Sequence, residues 1–182
     1  NLNRVRIFEI GTVYIRNQET KNGPLTIAGF DQTRKITALS YGTQVNEQWG
    51  QESRITDFFD MKSDLEALFY PITLHFRKID HPALNPGCSA QVLANEKPIG
   101  FIGKLHPYLQ QKYGLPLSPV IFEVDSLALE QQKVPNYVKF SKFPSVSRDL
   151  SIVVRQSVCA QELLDVFISE QKNNPICRIL KN

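Results

Sequence analysis

The stretch that most limits the fold is RVRIFEIGTVYIR, residues 4–16, whose side chains alternate in character as a β-strand requires. Neighbouring side chains of a strand point to opposite faces. One face would carry Ile7, Glu9, Gly11, Val13 and Ile15, and the other would carry Arg6, Phe8, Ile10, Thr12 and Tyr14. A strand of this length needs hydrogen-bonded neighbours, so the sequence predicts a sheet.

Two more apolar runs, at residues 25–30 and 35–42, are predicted to pair with this first strand. Turn-forming residues lie before and between them, namely Asn22-Gly23-Pro24 and then Asp31-Gln32. The pattern is typical of an antiparallel meander of short strands joined by tight turns.

From Asp57 the apolar residues recur every three or four positions, which predicts an amphipathic helix after a polar loop at 43–56 anchored by Trp49. Asp57 or Asp60 can cap the start of this helix, and Pro71 ends it. Its apolar side is formed by Phe58, Met61, Leu65, Leu68 and Phe69.

The remainder of the first 135 residues is predicted to mix strands with short helices. The order is a strand at 72–79, a proline-rich loop at 81–87, a hairpin at 89–105, a helix at 106–114, a strand at 120–124 and a short helix at 125–132. The fold class is therefore α+β, with an antiparallel sheet and flanking helices.

A second unit is expected after a linker at 133–148. It comprises a strand at 149–154, a helix at 159–171 and the start of a strand at 176–180. About 45 residues bury too little apolar surface to be stable alone. We therefore expect two domains, 1–135 and 136–182, the second being an incomplete β-α-β unit.

Composition excludes several classes of protein. The net charge of +3 permits nucleic-acid contact without arguing for it, since no run of four or more Lys/Arg occurs. The apolar runs are far shorter than the ~20 residues of a membrane helix. The start has neither Met nor the apolar segment of a signal peptide, so we expect a piece of a longer chain. Cys88, Cys159 and Cys177 fit no zinc or disulfide pattern and are typical of reduced thiols in a cytosolic protein.

The candidate catalytic residues form no recognisable site. No two of the three histidines have the i, i+4 spacing of a metal site, and no nucleophile elbow is present. The segment PIGFIG lacks the lysine and helix of a phosphate loop, so Gly100 and Gly103 are interpreted as close-packed hairpin residues.

Basic and aromatic residues alternate in YVKFSKFPSVSR, residues 137–148. Cations can contact phosphates and rings can stack on bases, so this segment is a candidate RNA surface. The competing interpretation, which the residues alone favour, is a linker whose rings pack on the following sheet. The candidate tRNA-binding residues are Lys139, Lys142, Arg148 and, further along, Arg155.

Seven segments in a fixed order carry a resemblance to a known family. They are RIFEIGTVY, WG, DFFDMKSDLEALF, HPALNPGCSAQV, IGFIGKLHP, FEVDSLAL and KFPSVSRDLSIVV. In this order the chain closely resembles the β subunit of bacterial phenylalanyl-tRNA synthetase. The resemblance implies a class II synthetase-like core at 1–135 and the start of a ferredoxin-fold anticodon-binding domain at 136–182.

The same resemblance implies the biochemical setting. The complex would charge tRNA(Phe) with phenylalanine in the cytoplasm, and this chain would associate with an α subunit in an α2β2 heterotetramer. ATP and Mg²⁺ would serve the complex. No cofactor, metal or membrane contact is expected for this part of the chain.

Two arginines that class II cores use to bind ATP are missing by this resemblance. The pattern F-R-x-E ends a strand, but here Ile15 stands at the arginine position and Asn17 at the acidic one. In the pattern G-φ-G-φ-D-R, Asp125 is kept, Ser126 replaces arginine, and bulky residues replace glycine. The resemblance therefore implies a catalytically silent core retained for assembly and tRNA docking.

Two other functions remain open at the level of sequence. One is a divergent class II-type ligase that still binds ATP, with Arg16, Arg34 or Arg54 replacing the lost arginines. The other is a stand-alone ferredoxin-like RNA module, which the incomplete second unit disfavours.

Overall fold

The computed structural model describes residues 3–129 and 149–173, and the chain divides into two compact units, 1–135 and 136–182. Over its described residues, 3–129, the first unit contains a sheet of six strands and two α-helices. Its elements are β1 (Arg4–Arg16), β2 (Phe30–Gly42), α1 (Phe58–Phe69), β3 (Leu74–Lys78), β4 (Leu84–Ala94), β5 (Lys97–Leu105), α2 (Pro107–Lys112) and β6 (Val120–Asp125), followed by a 3-10 turn at Ser126–Ala128.

All neighbouring strands of the sheet are antiparallel, and their order is β1-β2-β6-β5-β4-β3. The predicted α+β class with an antiparallel sheet is therefore confirmed. β6, the last of these six strands in sequence, lies in the middle of the sheet. It joins the β1–β2 hairpin to the β3–β4–β5 meander.

Helix α1 covers one face of the sheet and forms the core with it. Met61, Leu65 and Phe69 are buried against apolar side chains of the strands. Burial of each such side chain stabilises the fold by about 1.5–3 kcal/mol. The strand residues of this core include Ile36, Val92, Ile102, Val120, Phe122 and Val124.

The start of α1 is fixed by a capping box, in which both of the predicted cap residues, Asp57 and Asp60, take part. The Asp57 carboxylate accepts hydrogen bonds from the backbone N–H groups of Phe59 (2.8 Å) and Asp60 (3.0 Å). In return the Asp60 carboxylate accepts from the Asp57 N–H at 2.9 Å. Backbone donors that would lack partners at a helix start are satisfied in this way.

The β1–β2 hairpin extends beyond the rest of the sheet. β1 and β2 pair as far as Arg16 and Phe30, whereas β6 pairs with β2 only from Lys35 to Ser40. Residues 12–16 and 30–34 therefore form a two-stranded arm, and the 17–29 loop connects them. The faces predicted for the first strand are confirmed by this register.

Three predictions about this part of the chain are wrong. The run 25–30 is not a strand of its own: before Phe30, where β2 begins, only single bridges form, and the exposed Leu25 and Ile27 have no sheet to cover. Asp31-Gln32 is not a turn, because both residues pair with β1. Trp49 does not anchor its loop, because its side chain is fully exposed.

The β4–β5 hairpin is confirmed and is longer than predicted. Asn95 and Glu96 form its turn with positive φ angles of 50° and 63°. A Cβ on Gly100 would lie 1.9 Å from the Glu123 carbonyl oxygen, so close strand packing requires glycine there. β4 begins at Leu84, which makes the predicted 81–87 loop wrong in its second half, since Leu84 already pairs with Leu105.

The second unit is described from residue 149 to residue 173. Its helix, α3 (Ala160–Asn173), confirms the predicted one, and Leu163, Leu164, Phe167 and Ile168 are half-buried. The predicted strand 149–154 is not a strand within these residues, because it has no hydrogen-bonded ladder there. The predicted linker 133–148 and strand 176–180 lie outside the described residues.

Candidate functional site

The face of the sheet turned away from α1, here called the far face, carries several of the positions that the resemblance assigns to ATP binding. Alternation along β6 buries Val120, Phe122 and Val124 on the α1 side. Ile121, Glu123 and Asp125 therefore point to the far face. In G-φ-G-φ-D-R the glycines correspond to Ile121 and Glu123, so two large side chains occupy the surface that glycines would leave free.

Ile15 lies on the far face near the end of the two-stranded arm. It pairs with Asp31, and its side chain is more than half exposed. Arg16 points to the opposite face because it is one residue further along the strand. Asp31, the β2 residue opposite Ile15, lies four residues along the strand from Lys35, which is a distance of about 13 Å. The structure therefore puts Ile15 on the same face as Asp125, but far along the sheet from it.

Asn17, at the acidic position of the first pattern, has a structural role in the arm. Its side-chain amide donates to the Asp31 carboxylate at 2.8 Å, and the Thr20 hydroxyl donates to the same group at 2.5 Å. These two hydrogen bonds hold the pKa of Asp31 below its ordinary value, and the one from Thr20 has the larger effect. Both hydrogen bonds join the connecting loop to the first residues of β2.

An ion-pair cluster occupies the middle of the far face. The Lys35 ammonium lies 2.6 Å from Asp125 Oδ1 and 3.9 Å from Glu123 Oε1. The three side chains are between 21% and 33% exposed, so water screens their charges only in part. Solvent does not reach Asp125 Oδ1 itself, which makes Lys35 its counter-ion.

Ser126 follows this cluster and begins the 3-10 turn. Its hydroxyl oxygen is buried and has no hydrogen-bond partner within the described residues. A neutral hydroxyl in this position supplies no positive charge to a phosphate. Asp125, which the resemblance keeps as an acidic residue, is held by Lys35, not by an arginine that follows it.

None of the three replacement arginines lies on the far face near this cluster. Arg34 pairs with Thr12 and Arg16 with Phe30, which puts both arginines on the α1 side of the hairpin. Arg54 donates to both carboxylate oxygens of Asp60, at 2.7 and 2.5 Å. Geometry therefore disfavours the divergent ATP-binding ligase.

The hydrogen bonds between Arg54 and Asp60 also set the ionisation of both groups. The guanidinium, as the largest cause, holds the pKa of Asp60 below its ordinary value, although partial burial acts in the opposite direction. The same hydrogen bond raises the pKa of Arg54. Both groups stay charged at neutral pH, so Arg54 remains committed to the start of α1.

One of the four candidate tRNA-binding residues, Arg155, belongs to the part of the chain that the structure describes. Lys139, Lys142 and Arg148 lie outside the described residues. Arg155 is exposed and lies in the turn before α3, where its carbonyl accepts a hydrogen bond from the Val158 N–H at 3.0 Å. An exposed arginine in this position is sterically available to a phosphate.

Two negative findings apply to residues 3–129 and 149–173. They contain no group of three His, Cys, Asp or Glu side chains that could hold a metal ion. They also contain no helix long and apolar enough to cross a membrane.

The sequence interpretation missed Lys35. A signal was available: Glu123 and Asp125 alternate in one strand, so they share a face and need a counter-ion. Lys35 opens the apolar run that pairs with that strand. Which lysine meets which carboxylate depended on the β2–β6 register, and sequence periodicity does not give a register between strands so far apart.

Comparison with known proteins gives the family of this chain. A family model described as the phenylalanyl tRNA synthetase beta chain CLM domain matches residues 1–126. The chain belongs to the phenylalanyl-tRNA synthetase β-chain family. The resemblance carried by the seven segments is thereby confirmed.

Curated relatives of the family share the name phenylalanine–tRNA ligase beta subunit. The protein from Burkholderia lata is 48% identical over 169 residues, which cover 91% of this chain and 21% of the relative. The protein from Cupriavidus pinatubonensis is 46% identical with the same coverage. The protein from Ralstonia nicotianae is 40% identical over 185 aligned positions, covering 100% of this chain and 23% of the relative. The chain thus spans about a fifth of the length of the curated relatives it matches.

Proposed function

We propose that this chain is a section of the β subunit of a phenylalanine–tRNA ligase, where it supports assembly and tRNA binding and takes no part in the chemical step. Its first domain, 1–135, would be a class II synthetase-like core that no longer binds ATP. The observation that carries this proposal is the cluster of Lys35, Glu123 and Asp125 on the far face.

Electrostatics supports the loss of ATP binding. Adenylate formation needs fixed cations beside a triphosphate, where negative charge is concentrated. The cluster contains one ammonium group and two carboxylates, so its net charge at neutral pH is negative and repels a triphosphate. Ile15 and Ser126 add no positive charge at the two positions where the family resemblance calls for arginine. The residues present therefore do not fit ATP.

The reaction itself is assigned to the α subunit. In the proposed α2β2 heterotetramer, ATP and Mg²⁺ act on that subunit, and the complex charges tRNA(Phe) in the cytoplasm. The domain 136–182 would be the start of a ferredoxin-fold anticodon-binding domain. Lys139, Lys142, Arg148 and Arg155 are its proposed contacts to RNA phosphates.

Calorimetric titration of the purified chain with ATP and Mg²⁺ tests the silent core. We expect no heat of binding up to millimolar nucleotide, because the far face lacks an unpaired cation at the cluster. Micromolar affinity would show that the far face still binds the nucleotide, and it would restore the divergent ligase as the better function.

Co-purification of the full-length β chain with a folded α subunit tests the proposed assembly. A stable complex is expected, and failure to form one would contradict the proposal. In that complex, Arg155→Ala should weaken tRNA binding and reduce the dependence of log Kd on log salt by roughly 0.7–0.9, the contribution of one phosphate contact. An unchanged salt dependence would remove Arg155 from the RNA surface.

A further inference from the structure

A loop of the first unit carries a fully exposed tryptophan on a fixed base. The loop, residues 44–55, is here called the Trp49 loop. Its base is closed by a hydrogen bond from the Gln44 N–H to the Arg54 carbonyl at 2.9 Å. Trp49 lies at the far end of the loop, beside Gly50, whose φ of +82° bends the chain. The structure therefore presents the indole ring to solvent.

The end of the Trp49 loop is also tied to helix α1. Arg54 donates two hydrogen bonds to Asp60 and lies 3.8 Å from Asp57, the cap residue. A loop held in this way loses less conformational entropy when its tip binds a partner than a free loop would. Tryptophan is also among the residues that contribute most to binding when they enter a partner's pocket.

The segment that contains the Trp49 loop is acidic whereas the whole chain is basic, and from outside this segment the Arg4 Nε donates to the Gln44 carbonyl at the base of the loop at 3.3 Å. Residues 44–69 carry six carboxylates and two basic side chains, a net charge of −4, whereas the chain has +3. Both basic side chains are engaged, since Arg54 binds Asp60 and Lys62 lies over the Phe76 ring and near Glu66. Glu47 and Glu52 are exposed beside Trp49 and have no ion-pair partner within the described residues.

The negative charge of this segment indicates which of two classes of partner, RNA or protein, the exposed ring would contact. Stacking on RNA requires nearby cations to offset phosphate repulsion. The Trp49 loop offers unpaired carboxylates and no unpaired cation among its described residues. A protein surface with an apolar pocket and a basic rim is complementary to both its ring and its charges.

We propose that the Trp49 loop is a protein-docking element, with Trp49 filling an apolar pocket and Glu47 and Glu52 facing basic side chains around that pocket. This inference rests on the proposed function, under which the partner is the α subunit. It separates the assembly surface of the chain from its proposed RNA-binding surface.

Affinity measurements on full-length β chain and α subunit test the proposal. We expect Trp49→Ala to raise the Kd of the two subunits roughly 30-fold, as loss of a central aromatic contact does, and Trp49→Phe to restore part of the affinity. The double variant Glu47→Lys/Glu52→Lys keeps the ring, and it should weaken binding and reverse its salt dependence. Tyr113→Ala removes another exposed ring, outside the acidic segment, and should change Kd by less than about twofold.

Three results would overturn the docking proposal. The first is a Kd within about twofold of the parent for Trp49→Ala. The second is a loss of tRNA affinity in Trp49→Ala with unchanged affinity between the subunits, which would show that the Trp49 ring contacts RNA. The third is a lower thermal midpoint of the Trp49→Ala β chain alone with unchanged affinity between the subunits, which would show that the ring packs against the rest of the β chain. If the parent chains do not associate, the proposed function fails first, and the two failures are thereby distinguished.

Discussion

The two faces of the sheet are built from alternate residues of the same strands, yet they are stabilised in different ways. On the α1 side, Val120, Phe122 and Val124 are buried with apolar partners such as Leu65. On the far face the same strand presents charged side chains that Lys35 balances. Residues one step apart can therefore change independently, so a sheet can keep its core while its other face loses a binding function.

Removing apolar volume on the α1 side should have the largest effect on stability. Leu65→Ala leaves a cavity under a fully buried residue, and we expect it to lower the free energy of unfolding by about 2–5 kcal/mol. Urea unfolding of the chain measures this. Ile15→Ala on the far face is the matched control and should cost less than about 0.5 kcal/mol. Similar losses in both variants would contradict the contrast between the faces.

Removing the counter-ion should have an intermediate effect. Lys35→Met leaves the solvent-inaccessible Asp125 Oδ1 without its cation, and we expect a loss of roughly 1–2 kcal/mol, between the values for exposed and buried pairs. A double-mutant cycle with Asp125→Asn isolates the pair by urea unfolding. A coupling energy near zero would mean that the two charges do not interact in solution.

Acid should weaken the contact that ties Arg54 to the start of α1. Because the folded pKa of Asp60 is lowered, its stabilising contribution is complete above the unfolded-state pKa and is lost as pH falls through the folded one. We expect Asp60→Asn to cost about 1 kcal/mol at pH 7, since the capping box is also impaired. The cost should shrink below pH ~4. Thermal unfolding of both chains at several pH values measures this, and a cost that is constant down to pH ~2.5 would exclude this linkage.

The smallest effect is expected at the exposed edge of the sheet. Arg77 and Glu96 form an ion pair at 2.8 Å, but both side chains are more than 60% exposed. Arg77→Ala should therefore change the free energy of unfolding by less than about 0.5 kcal/mol, and added salt should abolish the difference. If Arg77→Ala still lowers the free energy of unfolding by more than this in 0.5 M salt, the arginine stabilises the fold through packing of its aliphatic stem and not through its charge.

The sequence was sufficient where a pattern is local. Asp57 and Pro71 bound a helix whose apolar period is unbroken, so α1 and its cap at Asp57 were predicted correctly. The hairpin at 89–105 was also predicted, and its turn at Asn95 and Glu96 consists of polar residues between two apolar runs. In both cases the residues that determine the element lie within the element itself.

The sequence was insufficient where long-range pairing decides. Leu25 and Ile27 are apolar enough for a strand, but the run that contains them closes on itself through single bridges, Gly23 to Thr26 and Ile27 to Phe30, and builds no ladder. Asp31 favours turns, yet hydrogen bonds from Asn17 and Thr20 hold it within a ladder. The far-face cluster likewise depended on the β2–β6 register. The altered arginine positions could be named from the family pattern alone, but the counter-ion could not.

The central position of β6 affects the order in which the sheet can form during synthesis. The β1–β2 hairpin and the β3–β4–β5 meander each contain only neighbours in sequence, so each can form early and rapidly. They become one sheet only when β6 has left the ribosome and inserted between β2 and β5. Until then the nascent chain holds two partial sheets whose inner edges are unpaired, a state that is vulnerable to misassembly with other chains. A pause in translation before β6 has left the ribosome would prolong that state, and a pause after its release would not.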